Sequence, residues 1–419
     1  MEMKRVKEGF EWMQILLWNT KWQPDRLKNI ATRLASEVTT LLDHGPTMVA
    51  AMNGESLYSM NSNLRAMSLV RQQVFLERLG AELPKSFKKV AKMLEAIRMV
   101  VLRPENTTVH VATRLEKMDF YLTDKPDVRD AVSQLLRRTF DYTGWHWGYP
   151  TKRLANDPDT KFMKSLDCIQ RCRAEKILRM HASSQGAFLL QVAPCLRELN
   201  CPEYPLLLTA IHYFTQHEGP FHKGIRNLGY APYFRLHLNP EEGMIYFELN
   251  DATDLVKAYT AAFKIILDHL KSESETQSVV STVTIASTTT TTTVGNEAGV
   301  PIWKPELLTS AKSSAIFDLI EKENTPRNLA LGSLLDYYRL VPTHFNRFVM
   351  QRISTVTLDE VRQMTKKYFQ PLFIKTSTCS VAAPSEQVPS IIQGLMDNCG
   401  KRLSLLPPVH QSEMAVYTT

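Results

Sequence analysis

The sequence predicts an α+β fold made of two diverged copies of one unit, the first copy truncated at its N-terminus. Three observations predict it. Apolar residues recur with helical period over long stretches and with period two over short ones, so helices and strands share the chain. Short matched segments return in the same order near both ends of the chain, the signature of an internal repeat. Residues 217–249 carry a helix stop, a glycine-marked turn and two alternating runs, a block with no counterpart in the front copy.

The elements follow in order. Pro24 occupies a first helical position, and Leu27, Ile30, Leu34, Val38, Leu41 and Leu42 then share one face until Gly45-Pro46 ends the run. Leu64, Met67, Val70 or Arg71, Val74 and Phe75 mark a second helix stopped near Gly80. Phe87, Val90, Leu94, Ile97 and Val101 mark a third. Residues 107–113, TTVHVAT, alternate as a strand. Residues 130–140 and 160–180 read as helices, and the aromatic cluster at 142–149 reads as an anchor for the connection between them. Residues 188–193 form a strand and 205–216 an apolar helix that Gly219-Pro220 stops. Phe234, Leu236 and Leu238 then point one way, and Tyr233, Arg235 and His237 the other. Ile245, Phe247 and Leu249 repeat the pattern after Asn239-Pro240-Glu241-Glu242-Gly243, which makes a hairpin. Thr253 caps a helix with Leu255, Tyr259, Ala262, Phe263, Ile266 and Leu270 on one face.

The repeat rests on particular residues. Trp22-Gln23-Pro24-Asp25-Arg26-Leu27 matches Trp303-Lys304-Pro305-Glu306-Leu307-Leu308. Val6-Lys7 stands before Ile15-Leu16-Leu17 as Val256-Lys257 stands before Ile265-Ile266-Leu267. Phe75 leads to a helix and then HVAT. Phe348 leads to the helix start Thr357-Leu358-Asp359-Glu360 and then to SVAA from Ser380. The boundaries that follow are a truncated α+β domain at 1–118, a helical and aromatic connection at 119–185, a complete α+β domain at 186–406 and a tail at 407–419. Residues 272–299 are Ser/Thr-rich without apolar period and read as a disordered insertion. A sheet missing its leading strands exposes unpaired edges, so the front copy calls for something that completes it.

Composition narrows the classes. At 419 residues a single core is too small for the chain, and 44% apolar with 22% charged residues is ordinary for globular proteins. The net charge of +7 is spread without a basic run, and basic residues are not interleaved with aromatics on one element, which argues against nucleic acid as partner. The six cysteines contain no C-x-x-C pair and read as free thiols in a reducing compartment, cytoplasm or mitochondrial matrix. No apolar run reaches transmembrane length, and the glutamates of the first eleven residues interrupt any signal-peptide core.

The chemistry is mostly a matter of exclusion. His217-Glu218-Gly219-Pro220-Phe221-His222 suggests a zinc site, but H-E-x-x-H works by setting two histidines four apart on one helix face. Here the separation is five, and Gly219-Pro220 breaks a helix between them, so the segment reads as a helix end and turn with no metal ligands. H-x-x-E-H, the phosphate loop G-x-x-x-x-G-K-[ST] and the nucleophile elbow G-x-S-x-G are all absent. Glu241 and Glu242 sit in the hairpin loop as solvated carboxylates. The remaining candidates are Arg226, Tyr230 and Tyr233 around Gly229. A guanidinium and tyrosine hydroxyls beside a strand can hold an extended peptide by its carbonyls or carboxylate, as they can equally face solvent or a neighbour.

At these residues the sequence resembles a known family. E-G-P, then I-R-x-x-G and a tyrosine, then N-P-E-E-G, Ile-Tyr-Phe and the T-D-L-V-K-A-Y helix are similar to the C-terminal half of pitrilysin/insulinase-type metallopeptidases, nearest the presequence-protease-like branch. The resemblance covers residues 1 to about 115 and about 186 to 405. It implies four homologous α+β domains in two halves around a peptide chamber, with zinc held by H-x-x-E-H in the first domain. It also implies an Arg and a Tyr reaching the substrate from the far half. Arg226 matches the Arg. The branch usually places Tyr where this chain has Pro232; Tyr233 lies one residue on, the spacing of the insulin-degrading branch, and Tyr230 is a second nearby hydroxyl.

The resulting expectation is a non-catalytic half with substrate-binding residues Arg226, Tyr233 and Tyr230, no catalytic residue and no cofactor of its own. Zinc belongs to an N-terminal half or to an H-x-x-E-H subunit. An inactive scaffold subunit, or a gene model lacking its upstream part, are the alternatives.

Overall fold

The structure, a computed structural model, describes residues 5–59, 62–103, 106–112, 128–141, 175–180, 186–271, 302–339, 341–342, 344–375 and 377–406. In chain order the helices are α1 (Val6–Trp18), α2 (Pro24–Leu42), α3 (Gly45–Leu57), α4 (Asn63–Ala66), α5 (Leu69–Val101), α6 (Val128–Phe140), α7 (Tyr204–Thr215), α8 (Leu255–Lys271), α9 (Pro305–Glu321), α10 (Pro326–Tyr338), α11 (Phe345–Ser354), α12 (Leu358–Met364) and α13 (Val388–Cys399). The strands are β1 (Glu175–Met180), β2 (Ala187–Pro194), β3 (Tyr233–Asn239), β4 (Met244–Ala252), β5 (Thr378–Pro384) and β6 (Ser404–Leu405).

The chain divides into two compact units. One comprises Met1–Thr39, Gln72–Asp159 and Glu323–Pro342, and the other Thr40–Arg71, Thr160–Lys322 and Thr343–Thr419. Among the described residues the first unit has helices and no strand. Its clearest core joins Val6 and Phe10 of α1 to Ala131, Val132, Leu136 and Phe140 of α6, and Trp18 donates its indole N–H to the Thr139 carbonyl at 2.8 Å.

All six strands lie in the second unit, in one sheet of order β3-β4-β2-β5-β1-β6. β3, β4, β2 and β5 are antiparallel neighbours, and β1 runs parallel to both β5 and β6. β2 is buried from Ala187 to Ala193, as befits a strand covered on both faces. α3 lies against β2 and β5, with Gly45 in contact with the Phe188 ring. α7 is almost wholly buried and packs on α9, α11 and α12, which explains its continuous apolar sequence YPLLLTAIHYFT. Phe214 at its end meets Phe221, Phe369 and Trp303, with ring centroids 5.4–5.9 Å apart.

Among the described residues the fold is therefore α+β and mostly helical, with a single sheet. Residues 107–112 are not a strand; Val109 and Val111 instead pack their side chains on the α1–α6 core. The two helices separated at Gly80 are one helix of 33 residues that carries Pro84 inside it, held where the adjacent Leu83 is buried. Pro46, read as a stop, lies in the first turn of α3, where a missing N–H costs nothing. Residues 175–180 are strand β1 and not the end of a helix, because β5 and β6 offer it a parallel partner on each side. The hairpin, β2, α2, α6, α7 and α8 appear where the periodicity placed them. The aromatic cluster at 142–149, the insertion at 272–299 and the tail from 407 lie outside the described residues.

Candidate functional site

The best-organised site is the turn between α7 and β3. After Thr215 the chain leaves the helix, and Glu218 takes a left-handed conformation (φ +64°) that non-glycine residues seldom adopt. Gly219 follows because nothing larger fits: a Cβ there would stand 2.8 Å from the Gln216 carbonyl oxygen and 3.0 Å from that of Phe214. Phe221 then anchors the turn in the core, its ring 5.5–5.6 Å from Phe214 and Phe247. Residues His222–Arg226 form one π-helical turn, closed by the Asn227 N–H donating to the His222 carbonyl at 3.0 Å. Ile225 is buried beneath it, and Gly229 (φ +71°) turns the chain into β3.

This path creates a cleft of about 210 Å³ lined by Thr215, His217, His222, Arg226, Pro232, Tyr233 and Phe234. Arg226 and Tyr233 are exposed at its mouth, and His222 is buried in its wall. Burial, with the His217 ring and the Arg226 guanidinium beside it, holds the His222 imidazole below its ordinary value. Lys223 donates to Glu218, Nζ to Oε2 3.1 Å, and keeps that carboxyl below the usual range. Tyr233 opens β3, which among the described residues is an edge strand with β4 as its one partner. The outer edge of β3 thus presents main-chain N–H and C=O groups beside a guanidinium and a phenol.

Of the sequence-predicted residues, Arg226 and Tyr233 share this cleft and Tyr230 does not line it. The Tyr230 carbonyl accepts from the Thr253 and Asp254 N–H groups at 3.0 and 3.2 Å, and Lys257 Nζ lies 5.9 Å from the centre of its ring. The cap of α8 is accordingly Asp254, whose Oδ1 accepts from the Lys257 N–H at 3.0 Å. The Thr253 hydroxyl is used instead to donate to Gly229 at 2.7 Å. His222 is the residue that sequence reasoning passed over, since its spacing from His217 fits no helical motif. Its signal was the Gly-Pro break itself, which folds His217 back until the two imidazole centres are 4.4 Å apart.

A second polar cluster lies at the hairpin loop. Glu242 is not simply solvated: it accepts from the Tyr58 hydroxyl at 2.9 Å and from the Tyr246 hydroxyl, and burial beside this carboxylate pushes both phenols up. His237 stacks flat on Tyr246 at 5.0 Å, and burial pushes it down to about 4. These groups hold the hairpin loop and do not line the cleft.

No family model matches the sequence. An uncharacterised protein of Saccharomyces cerevisiae is 21% identical over 371 residues, covering 87% of this chain and 32% of its own length. One of Caenorhabditis elegans is 21% identical over 365 residues, covering 85% and 32%. The chain spans about a third of the length of these curated relatives. Among solved structures, the periplasmic protease PqqL of Escherichia coli aligns over 92% of this chain and 35% of its own, at 13% identity and TM-score 0.53. The fold is that of M16, or pitrilysin-like, peptidases. An inactive M16 peptidase domain of Pseudomonas fluorescens shares it over 90% of this chain and 74% of that one, at 8% identity and TM-score 0.50. A chain of complex III2 from Candida albicans shares it over 96% and 82%, at 10% identity and TM-score 0.54.

The zinc such a fold implies is not accommodated in the M16 manner. The sequence has no H-x-x-E-H. Among the described residues the one group of three ligating side chains is His217, Glu218 and His222, on a turn and not on a helix face.

Proposed function

We propose that this chain is the substrate-binding, non-catalytic side of a zinc metalloendopeptidase of the M16 type, akin to the C-terminal half of the presequence-protease-like branch. Metal and hydrolysis belong to an H-x-x-E-H-bearing half or subunit. The observation that carries the reading is the pairing of Arg226 with Tyr233 in one cleft at the start of the edge strand β3. An extended peptide can add to β3 through main-chain hydrogen bonds, while the Arg226 guanidinium donates to a peptide carbonyl or carboxylate and the Tyr233 hydroxyl to another carbonyl. Likeness in fold to an inactive M16 domain supports the same division of labour. Cys195, Cys201, Cys379 and Cys399 are free thiols, which suits a reducing compartment.

The test is peptide binding by fluorescence anisotropy with an unstructured labelled peptide, in the presence of a chelator. Arg226→Ala is expected to weaken binding ~10-fold or more, the worth of a hydrogen bond from a charged donor, and Tyr233→Phe to weaken it less. Equal affinity of Arg226→Ala and the parent, or chelator-sensitive cleavage by the purified chain alone, would overturn the reading.

A second reading, an inactive assembly subunit, is favoured by the likeness to a chain of complex III2 and by the exposed apolar side chains Phe75, Met93, Ile97 and Val101 along α5. Stable assembly with partners that include no H-x-x-E-H subunit would decide for it.

A further inference from the structure

We propose that His217, Glu218 and His222 form a three-ligand site for a divalent cation of the zinc type, independent of the peptidase reading and separate in frame from any H-x-x-E-H centre. The ligating atoms of the three side chains already lie within 4.8 Å of one another. A tetrahedral zinc site with bonds of ~2.0–2.1 Å sets neighbouring ligand atoms ~3.4 Å apart. The difference is small. His217 and Glu218 are exposed and can close it by side-chain rotation about a fixed His222.

His222 supplies the second, independent observation. Its side chain is 8% exposed, it lines the cleft, and its Nδ1 is buried with no hydrogen-bond partner. A buried polar atom left unsatisfied costs ~1–3 kcal/mol, and buried imidazoles in proteins otherwise find a donor, an acceptor or a metal.

The remaining geometry agrees. Glu218 Oε1 stands 3.8 Å from His217 Nδ1, close to the spacing of two ligands on one ion. The other oxygen, Oε2, is already taken by Lys223 Nζ at 3.1 Å, the kind of outer contact that orients a ligating carboxylate. The left-handed Glu218 and the side-chain-free Gly219 are what bring His217 round to His222. Two imidazoles and one carboxylate suit zinc and its neighbours and not magnesium or calcium, which favour oxygen ligands. Three protein ligands leave one position for water. Arg226 in the same cleft opposes the ion's charge, which limits affinity without removing the site.

The experiment uses the full chain after chelator treatment. Zinc is titrated calorimetrically, and cobalt(II) is added as a probe whose visible absorption reports coordination. One equivalent is expected to bind, with the cobalt spectrum of a four-coordinate nitrogen and oxygen site. Glu218→Gln and His222→Gln are each expected to weaken uptake ~10-fold or more. His44→Gln, a histidine on α3's entry away from the cleft, leaves it unchanged. Should His222→Gln fail to fold, Glu218→Gln and His217→Ala carry the test, since both side chains are exposed. Absence of a one-equivalent isotherm, or uptake that Glu218→Gln and His217→Ala leave intact, would overturn the proposal. Because the peptide assay is run with chelator, either result leaves the peptide-binding reading to be judged on its own.

Discussion

Acid should weaken this protein through one buried imidazole, His269. It lies on α8, 4.8 Å from the Trp303 ring and 4.9 Å from the Phe214 ring. Its Nδ1–H donates to the Ile265 carbonyl at 2.7 Å. Burial pushes it down from 6.5 to about 4, against a smaller upward pull from the Ile265 carbonyl. The unfolded chain therefore takes up the proton before the folded one does. Stability is complete above the unfolded value and is lost as pH falls from 6.5 towards 4, after which the loss levels off. At 1.36 kcal/mol per tenfold difference in proton affinity, the full loss is ~3 kcal/mol, with ~2 kcal/mol gone by pH 5. That is a large share of a typical margin of ~5–15 kcal/mol. Urea unfolding of the parent and of His269→Phe should be compared at steps between pH 7.5 and 4.5 (the phenyl keeps the aromatic contacts and cannot titrate). Comparing the two cancels the groups they share, His237 included. The parent is expected to lose ~2.5 kcal/mol more than the variant over this window. Parallel curves would refute the burial argument for His269.

Two further outcomes are expected. Gly219→Ala sets a methyl group within 3.0 Å of two carbonyl oxygens that cannot move freely, so thermal or urea unfolding should show a loss of ~1–3 kcal/mol. Thr357→Ala removes a capping box in which the Thr357 hydroxyl accepts from the Glu360 N–H at 3.3 Å and the Glu360 carboxylate accepts from the Thr357 N–H at 2.8 Å. It should cost ~1 kcal/mol by the same measurement.

What could be read from the sequence was what depends on near neighbours. The hairpin at Asn239 to Met244, the capping box at Thr357 and the stop after α7 are all local, and each formed where its residues called for it. β1 was misread because EKILRM has little alternation of its own; its strand character comes from β5 and β6, far along the chain. Residues 107–112 show the converse, an alternating stretch that packs its valines on helices and pairs with no strand among the described residues. In the site, Arg226 and Tyr233 were legible as residue types at a turn. The meeting of His217 with His222 was not, because it follows from one left-handed backbone angle at Glu218, a property that no side-chain pattern announces. Glu242 reads locally as a solvated loop residue because Tyr58, nearly two hundred positions earlier, cannot be connected to it by local reasoning.

The sheet order also sets a timetable for synthesis. β2 finds β4 within about fifty residues, but its other neighbour, β5, emerges from the ribosome only after roughly a hundred and thirty more. Until then a strand apolar except at Gln191, Ala187 to Ala193, carries an unsatisfied edge in the nascent chain. β1 waits equally long, since its partners on both sides lie beyond residue 377. A polypeptide interrupted before β5 is thus left with half a sheet, and is expected to depend on chaperones until its last strands arrive.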